Sequence, residues 1–177
     1  MPTARSDFGI AVFNNLLVAA GGFDGTNVLG DTELYDIGAN SWQVVDPLIA
    51  ARRGLQLLVV GTELLAMGGV GGAGEYRNLT EKLELQEVAV KRAAAVAELW
   101  MALWLPTNFT MPEPVANFIA LVNGLDIFVV GGESETDLPR EVKVRRYFTC
   151  AILIPPSLTT CSSTYLDSAN VDQQVDV

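Results

Sequence analysis

An all-β chain of about three four-stranded antiparallel sheets is what this sequence predicts, and three observations predict it. First, three stretches align without a gap in a frame of 22 residues: MPTARSDFGIAVFNNLLVAAGG (1–22), LIAARRGLQLLVVGTELLAMGG (48–69) and MPEPVANFIALVNGLDIFVVGG (111–132). Second, every frame closes on a glycine pair, Gly21-Gly22, Gly68-Gly69 and Gly131-Gly132. Third, the apolar runs inside each frame are nearly continuous and are interrupted once, near the middle, by a polar or glycine-containing break. Repetition at a fixed period marks one supersecondary unit stacked on its own copies.

The elements come in order. Each frame reads as a strand, a tight turn and a second strand: GIAVF and LLVAA around Asn14-Asn15, then the pairs around Gly61-Thr62 and Asn123-Gly124. Asn and Gly tolerate the left-handed conformation that a two-residue hairpin turn demands, so the pairing is antiparallel. Continuous apolar runs mean that both faces of each sheet are covered, as in stacked sheets. Shared columns support the alignment: Phe8, Leu55 and Phe118; Val12, Val59 and Val122; Leu17, Leu64 and Ile127; Ala4-Arg5 with Ala51-Arg52. The glycine pair suits a strand end where φ turns positive and a neighbouring backbone comes close.

One glycine cluster spells more. In AMGGVGGAGEYRN, Gly69, Gly71 and Gly74 form a literal G-x-G-x-x-G after an apolar run, the spelling of a dinucleotide-binding turn. Such a site needs a helix starting at the last glycine, so that unpaired N–H groups face the anion. The residue after Gly74 is Glu75, an acidic group where the phosphate would lie, and the other two frames lack the extension. The glycines therefore read as structural, with a dinucleotide-binding enzyme built on Gly69-Gly71-Gly74 as the distant alternative.

Composition narrows the chemistry. At 177 residues, half of them apolar and 18% charged, the chain is long enough for one domain with a real core. Its 21 acidic and 11 basic residues give a formal charge of -10, which argues against a nucleic acid or an anionic membrane as partner. There is no histidine, which removes the commonest general base and metal ligand together. Cys150 and Cys161 are too few for a zinc site or a disulfide framework. Acidic pairs such as Glu133 with Glu135, or Asp24 with Asp31, read as solvated loop carboxylates. No catalytic residue, metal ligand or cofactor is expected, and no enzyme activity. No apolar stretch is long enough to span a bilayer, and the expected setting is cytoplasmic.

The first frame carries a fuller pattern. Its glycine doublet is followed by the loop FDGTNVLGD, then TELYDIGANSW with Tyr35 and Trp42, then Asp46-Pro47-Leu48 leading into the second frame. This resembles a kelch repeat, the unit of kelch-type β-propellers. The resemblance implies that each frame makes strands a and b of a four-stranded blade, the Tyr segment strand c and the Trp segment strand d. It implies a partial propeller over residues 1–154, with blades at about 1–47, 48–106 and 107–154, and a flexible tail at 155–177. In the second copy Leu83 and Leu85 stand where Tyr is expected, and Trp100 or Trp104 supplies the strand-d tryptophan. Its Ala93-Ala94-Ala95 favours helix, so a short helical insertion is expected near 88–100. In the third copy REVKVRR supplies strand c, with Arg145 in the Tyr column, and YFTCAILIPP supplies strand d without a tryptophan.

Propellers typically close with about four to eight blades, so three leave both terminal faces uncovered. Three remedies stand open, in order of expectation: a piece of a longer protein, a homodimer completing a six-bladed ring, or an open arc. The resemblance implies a module that binds a protein or peptide, related to the kelch-like substrate adaptors of ubiquitin ligases, although no BTB or BACK region is present. The alternative is a structural or actin-associating kelch fragment, or a product without independent function. The b–c loops and inter-blade connections would share one face. It would carry Asp24, Thr26 and Asn27 from the first blade, Tyr76 and Arg77 from the second, and Glu133, Glu135 and Asp137 from the third, with Arg52 and Arg53 from a connection. Kelch adaptors often place an arginine at the start of strand a. Arg53 stands there, with Ser6 and Ala116 as its counterparts. Arginine and aromatic residues dominate binding hot spots, and the candidates for partner binding are Arg53, Tyr76, Arg77, Asp24 and Glu135.

Overall fold

Three antiparallel sheets of four strands stack side by side in a computed structural model that describes residues 1–92, 95–111, 113–135, 144–148 and 164–166. The first sheet runs β1 (Gly9–Phe13), β2 (Leu16–Ala20), β3 (Thr32–Asp36) and β4 (Ser41–Val45), each strand beside the next in sequence. The second runs β5 (Gln56–Val60), β6 (Glu63–Met67), β7 (Thr80–Arg92) and β8 (Ala95–Pro106). The third runs β9 (Ile119–Asn123), β10 (Asp126–Val130), β11 (Val144–Phe148) and β12 (Thr164–Leu166). Asn14 and Asn15 both take positive φ, 49° and 61°, which is the backbone of a two-residue hairpin turn. Gly61 and Gly124 open the other two turns in the same conformation, at φ 60° and 63°. The third turn is thus Gly124-Leu125, since Asn123 is the last paired residue of β9.

Pairing register settles the aromatic columns. Tyr35 lies opposite both Leu17 and Trp42, and Leu83 lies opposite both Leu64 and Trp104. Trp104, not Trp100, is therefore the counterpart of Trp42. In the third sheet the residue opposite Ile127 is Tyr147, so the Tyr column holds a tyrosine; Arg145 lies opposite Val129 instead. The loop from glycine pair to strand c lengthens by one residue per copy, spanning 21–31, 68–79 and 131–143. Counting along the sequence drifts off column for that reason.

Two further expectations are corrected. No helix forms around 88–100 among the described residues: β7 and β8 pair continuously from Glu81↔Pro106 to Arg92↔Ala95, with Ala93 and Ala94 outside the described residues. Helix preference separates ordinary residues by only about 0.7 kcal/mol or less, and a long ladder of cross-strand pairs outweighs it. The outer strand of the third sheet is Thr164–Leu166, paired to Val144–Arg146, and not the segment 147–156. Only Tyr147 and Phe148 of that segment lie in a described strand, β11, and β12 falls beyond residue 154.

The middle sheet packs through two unlike faces, one on each neighbour. Phe13, Leu16, Val18, Ala20 and Leu34 of the first sheet meet Leu55, Leu57, Leu64, Ala66, Leu83 and Trp104 of the second. Leu58, Val60, Leu65 and Met67, on the other face of the second, meet Ala120, Ile127 and Val129 of the third, with Met111, Val115 and Phe118 from the connection. The Trp104 indole N–H donates to Thr32 Oγ1 across the first junction at 2.9 Å.

Backbone hydrogen bonds repeat at both junctions and explain the glycine pairs. Gly22 N–H donates to Arg52 O at 2.9 Å and Gly69 N–H to Val115 O at 2.7 Å, so donors and acceptors each keep one column of the frame. A Cβ on Gly21 would lie 2.5 Å from Arg52 O, and one on Gly68 2.6 Å from Val115 O. The pair ends strand b because the next connection rests on it. Asp7, Gly54 and Asn117 share another column, all with φ between 53° and 65°. Gly54 N–H donates to Asp7 O at 2.8 Å and Asn117 N–H to Gly54 O at 2.9 Å, a ladder from sheet to sheet.

Candidate functional site

A cleft of about 430 Å³ opens between the first two loops that come after the glycine pairs. Phe23, Thr26, Asn27 and Val28 form one wall, Gly71, Gly72 and Gly74 the other, and Ala51 and Arg53 come from the connection. The first wall is preset by Asp24, whose Oδ1 accepts from the backbone N–H groups of Thr26 and Asn27 at 2.7 and 2.6 Å. Those donors, Asn27 first, hold the Asp24 carboxyl below its ordinary value. Phe23 is fixed by bridges to Ser6 and Val28, and Val70 by matching bridges to Arg53 and Tyr76. Glu133 bridges Ala116 in the third copy, so Ser6, Arg53 and Ala116 occupy one structural position, as their column predicts.

Among the described residues, Arg53 is the one cation lining the cleft. Its guanidinium stands 5.2 Å from the centroid of the Phe23 ring and 3.7 Å from Asp7 Oδ2, with 44% of the side chain exposed. An exposed pair at that distance contributes little, about 1 kcal/mol at most, so the charge remains available to a ligand.

The other candidates sit around this cleft rather than in it. Asp24 belongs to the first loop but serves its own turn. Arg77 is paired with Glu75, and its backbone N–H donates to Gly69 O at 2.9 Å. Tyr76 is half-buried, its hydroxyl 3.5 Å from Glu133 Oε2 at the limit of a hydrogen bond, facing the third sheet. Glu135 is exposed in the third loop, and Asp137 lies outside the described residues. Arg52 does not belong to this face. Its side chain is fully buried, bonded to Glu81 Oε1 at 2.6 Å and to Ala66 O at 3.2 Å. Arg5 and Glu33 repeat the pair at 2.8 Å in the first sheet, so the shared Ala-Arg columns mark a structural ion pair. Burial lowers the Arg52 pKa and the Glu81 carboxylate opposes that shift.

Gly69, Gly71 and Gly74 do not make a phosphate cradle. Their N–H groups donate to Val115 O, Glu75 O and Gly71 O, at 2.7, 2.9 and 3.0 Å. The Glu75 carboxylate lies across Gly71 and accepts from Ala73 N–H at 3.1 Å. Its own backbone N–H, with Arg77 adding, holds its pKa low, so this carboxylate keeps its charge where an anion would have to bind. The Phe23–Arg53 contact was visible beforehand through one clue alone: each residue falls next to a repeated landmark, the glycine pair and the arginine column.

Comparison with known proteins fits this geometry. A family model described as Kelch motif matches residues 4–49. The Influenza virus NS1A-binding protein homolog of Xenopus laevis is 36% identical over 72 residues, covering 41% of this chain and 11% of that protein. Kelch-like protein 25 of Homo sapiens is 29% identical over 146 residues, covering 76% of this chain and 22% of that protein. The chain is a kelch-repeat protein. Its kelch repeats form the blades of a partial β-propeller. The solved structure of YjhT shares the fold, with a TM-score of 0.67 and 13% identity, over 94% of this chain and 53% of that one. This kelch-repeat chain thus spans about half of YjhT and a far smaller share of its curated relatives. Among the described residues no helix is long and apolar enough to cross a membrane.

Proposed function

We propose that this kelch-repeat protein binds a protein partner by holding an extended peptide segment in the cleft between its first two b–c loops. Arg53 is the charged anchor and Phe23 the apolar support. The observation that carries this reading is the half-exposed guanidinium of Arg53, backed by the Phe23 ring and held, among the described residues, by a long contact to Asp7. An extended strand suits the opposite wall, because Gly72 and Gly74 carry no side chain and let a backbone come close. A carboxylate on the peptide complements Arg53. Asp24 and Glu135 on the neighbouring loops select against further negative charge, and Tyr76 and Arg77 extend the surface toward the third blade. The formal charge of -10 favours a protein ligand over nucleic acid or an anionic membrane.

A substrate-adaptor role in a cytoplasmic setting is the finer reading. Its support is the similarity to Kelch-like protein 25 and to proteins named for binding NS1A. A peptide-display selection on the whole chain tests the cleft. Wild type enriches segments with an acidic residue beside an apolar one. Arg53→Ala and Phe23→Ala each weaken the enriched peptides about tenfold or more, the scale of a hot-spot truncation. Tyr76→Ala has a smaller effect. Identical enrichment by wild type and Arg53→Ala would remove the anchor from the account.

A further inference from the structure

Both junctions between blades join the same two kinds of face. The face toward the following blade is lined by Ala11 and Val18 in the first and by Leu58 and Leu65 in the second. The face toward the preceding blade is lined by Leu57 and Leu64 in the second and by Val122 and Ile127 in the third. Among the described residues one face of each kind is left uncovered. On the first blade Ile10 and Val12 are 51% and 60% exposed; on the third, Ile119 and Leu121 are 63% and 60% exposed. The residue types match the junction already formed: Leu121 stands in the column of Leu58, and Val12 in the column of Val122, which Leu58 and its neighbours cover.

The backbone is equally poised. Gly22 and Gly69 donate to the residues in the Arg5 column of the next blade, and Gly132 has no acceptor among the described residues. A Cβ on Gly131 would meet nothing within 4 Å, whereas its counterparts Gly21 and Gly68 are crowded by that next connection. Likewise Gly54 and Asn117 each donate to the preceding blade's member of their column, and Asp7 N–H has no such partner among the described residues.

We infer that a second copy of this chain covers both faces, giving a two-fold ring of six blades. The third blade of each copy packs on the first blade of the other. Leu121 meets Val12, Gly132 N–H donates to Arg5 O of the other copy, and Asp7 N–H of that copy donates to Asn117 O. The segment before Arg5 does not obstruct this docking. It lies over Glu33 through Thr3 N–H as Ile49 N–H lies over Glu81 at a junction that is already closed. Two copies rather than a longer series close the ring, because the chain spans 53% of YjhT, which shares its fold. A head-to-tail interface that does not close would instead polymerise. This inference is independent of the peptide cleft.

Sedimentation of the whole chain tests it. A species of twice the 19.0 kDa chain mass is expected at micromolar concentration, dissociating on dilution. It strengthens with added salt, since each copy carries -10 and the contact is apolar. Val12→Lys and Leu121→Glu each halve the mass while far-ultraviolet dichroism stays unchanged. Mixing the two variants restores the dimer, with one native junction and one Lys–Glu junction. Four results would overturn the inference: a wild-type monomer at every concentration, which would leave those faces to further blades or another protein; open polymers; a dimer untouched by both variants; or no rescue on mixing.

Discussion

Arg52 and Glu81 show how one residue pair is read differently in sequence and in space. Arginine beside a binding loop invites a ligand role, yet both side chains are fully buried and pair with one another. Removing one partner strands the other's charge in the core. Glu81→Ala is therefore expected to cost about 3–5 kcal/mol, measured by denaturant unfolding; a cost near that of an exposed pair would mean that the site is wet. Arg53, one residue on, points the opposite way and is half-exposed, because adjacent residues of an extended segment face opposite sides. Asp24 supplies a pH dependence. Its folded pKa is depressed, so the loop's stabilisation is complete above the ordinary value of 3.8 and is lost as pH falls through the lower, folded value. The amide shifts of Thr26 and Asn27 should hold steady at neutral pH and move only below about pH 4. Movement centred near neutrality would contradict the cap.

At the scale of elements, the hairpins were legible in every copy, and the outer strands fully in the first copy alone. A turn such as Asn14-Asn15 is written in local chemistry, because few residues tolerate positive φ there. Strands c and d depend on loops whose lengths differ between copies, and pairing fixes what counting cannot; Tyr147 is the example. The alanines at 93–95 mislead for a related reason, since local helix preference is small beside the β7–β8 ladder. Thr32 and Thr80 occupy one column. Thr32 Oγ1 accepts from Trp104, while Thr80 Oγ1 is buried without a partner among the described residues. The sequence holds no tryptophan after Trp104 to serve it. The glycine pairs give a graded prediction. Ala at Gly68 or Gly131 costs about 1–2 kcal/mol for left-handed φ, but Gly68 adds a clash with Val115 O and the Phe118 ring. In urea unfolding of dilute protein, Gly68→Ala should fall well below Gly131→Ala; equal midpoints would deny the crowding.

At the scale of the molecule, the three blades of the described residues leave two half-junctions at the ends of the stack. The junctions between blades are built from residues far apart in sequence, and their two faces are complementary in kind. That asymmetry gives the molecule a direction, from the face bearing Val12 to the face bearing Leu121, and it makes a second copy the natural cover. It also separates the two proposed contact surfaces. The flat apolar faces lie along the stacking direction, and the polar cleft with Arg53 lies between loop tips. A partner held in the cleft therefore need not compete with ring closure.

The sequence by itself determined the repeat, the hairpins, the glycine pairs and the kelch identity, because all four are carried by local backbone demands that recur at a fixed spacing. Tertiary structure alone decided which arginine is buried and which is offered, which tryptophan crosses a junction, and where the third blade finds its outer strand. Those outcomes turn on pairing register and on what the neighbouring sheet covers. Neither is a property of any single stretch of chain.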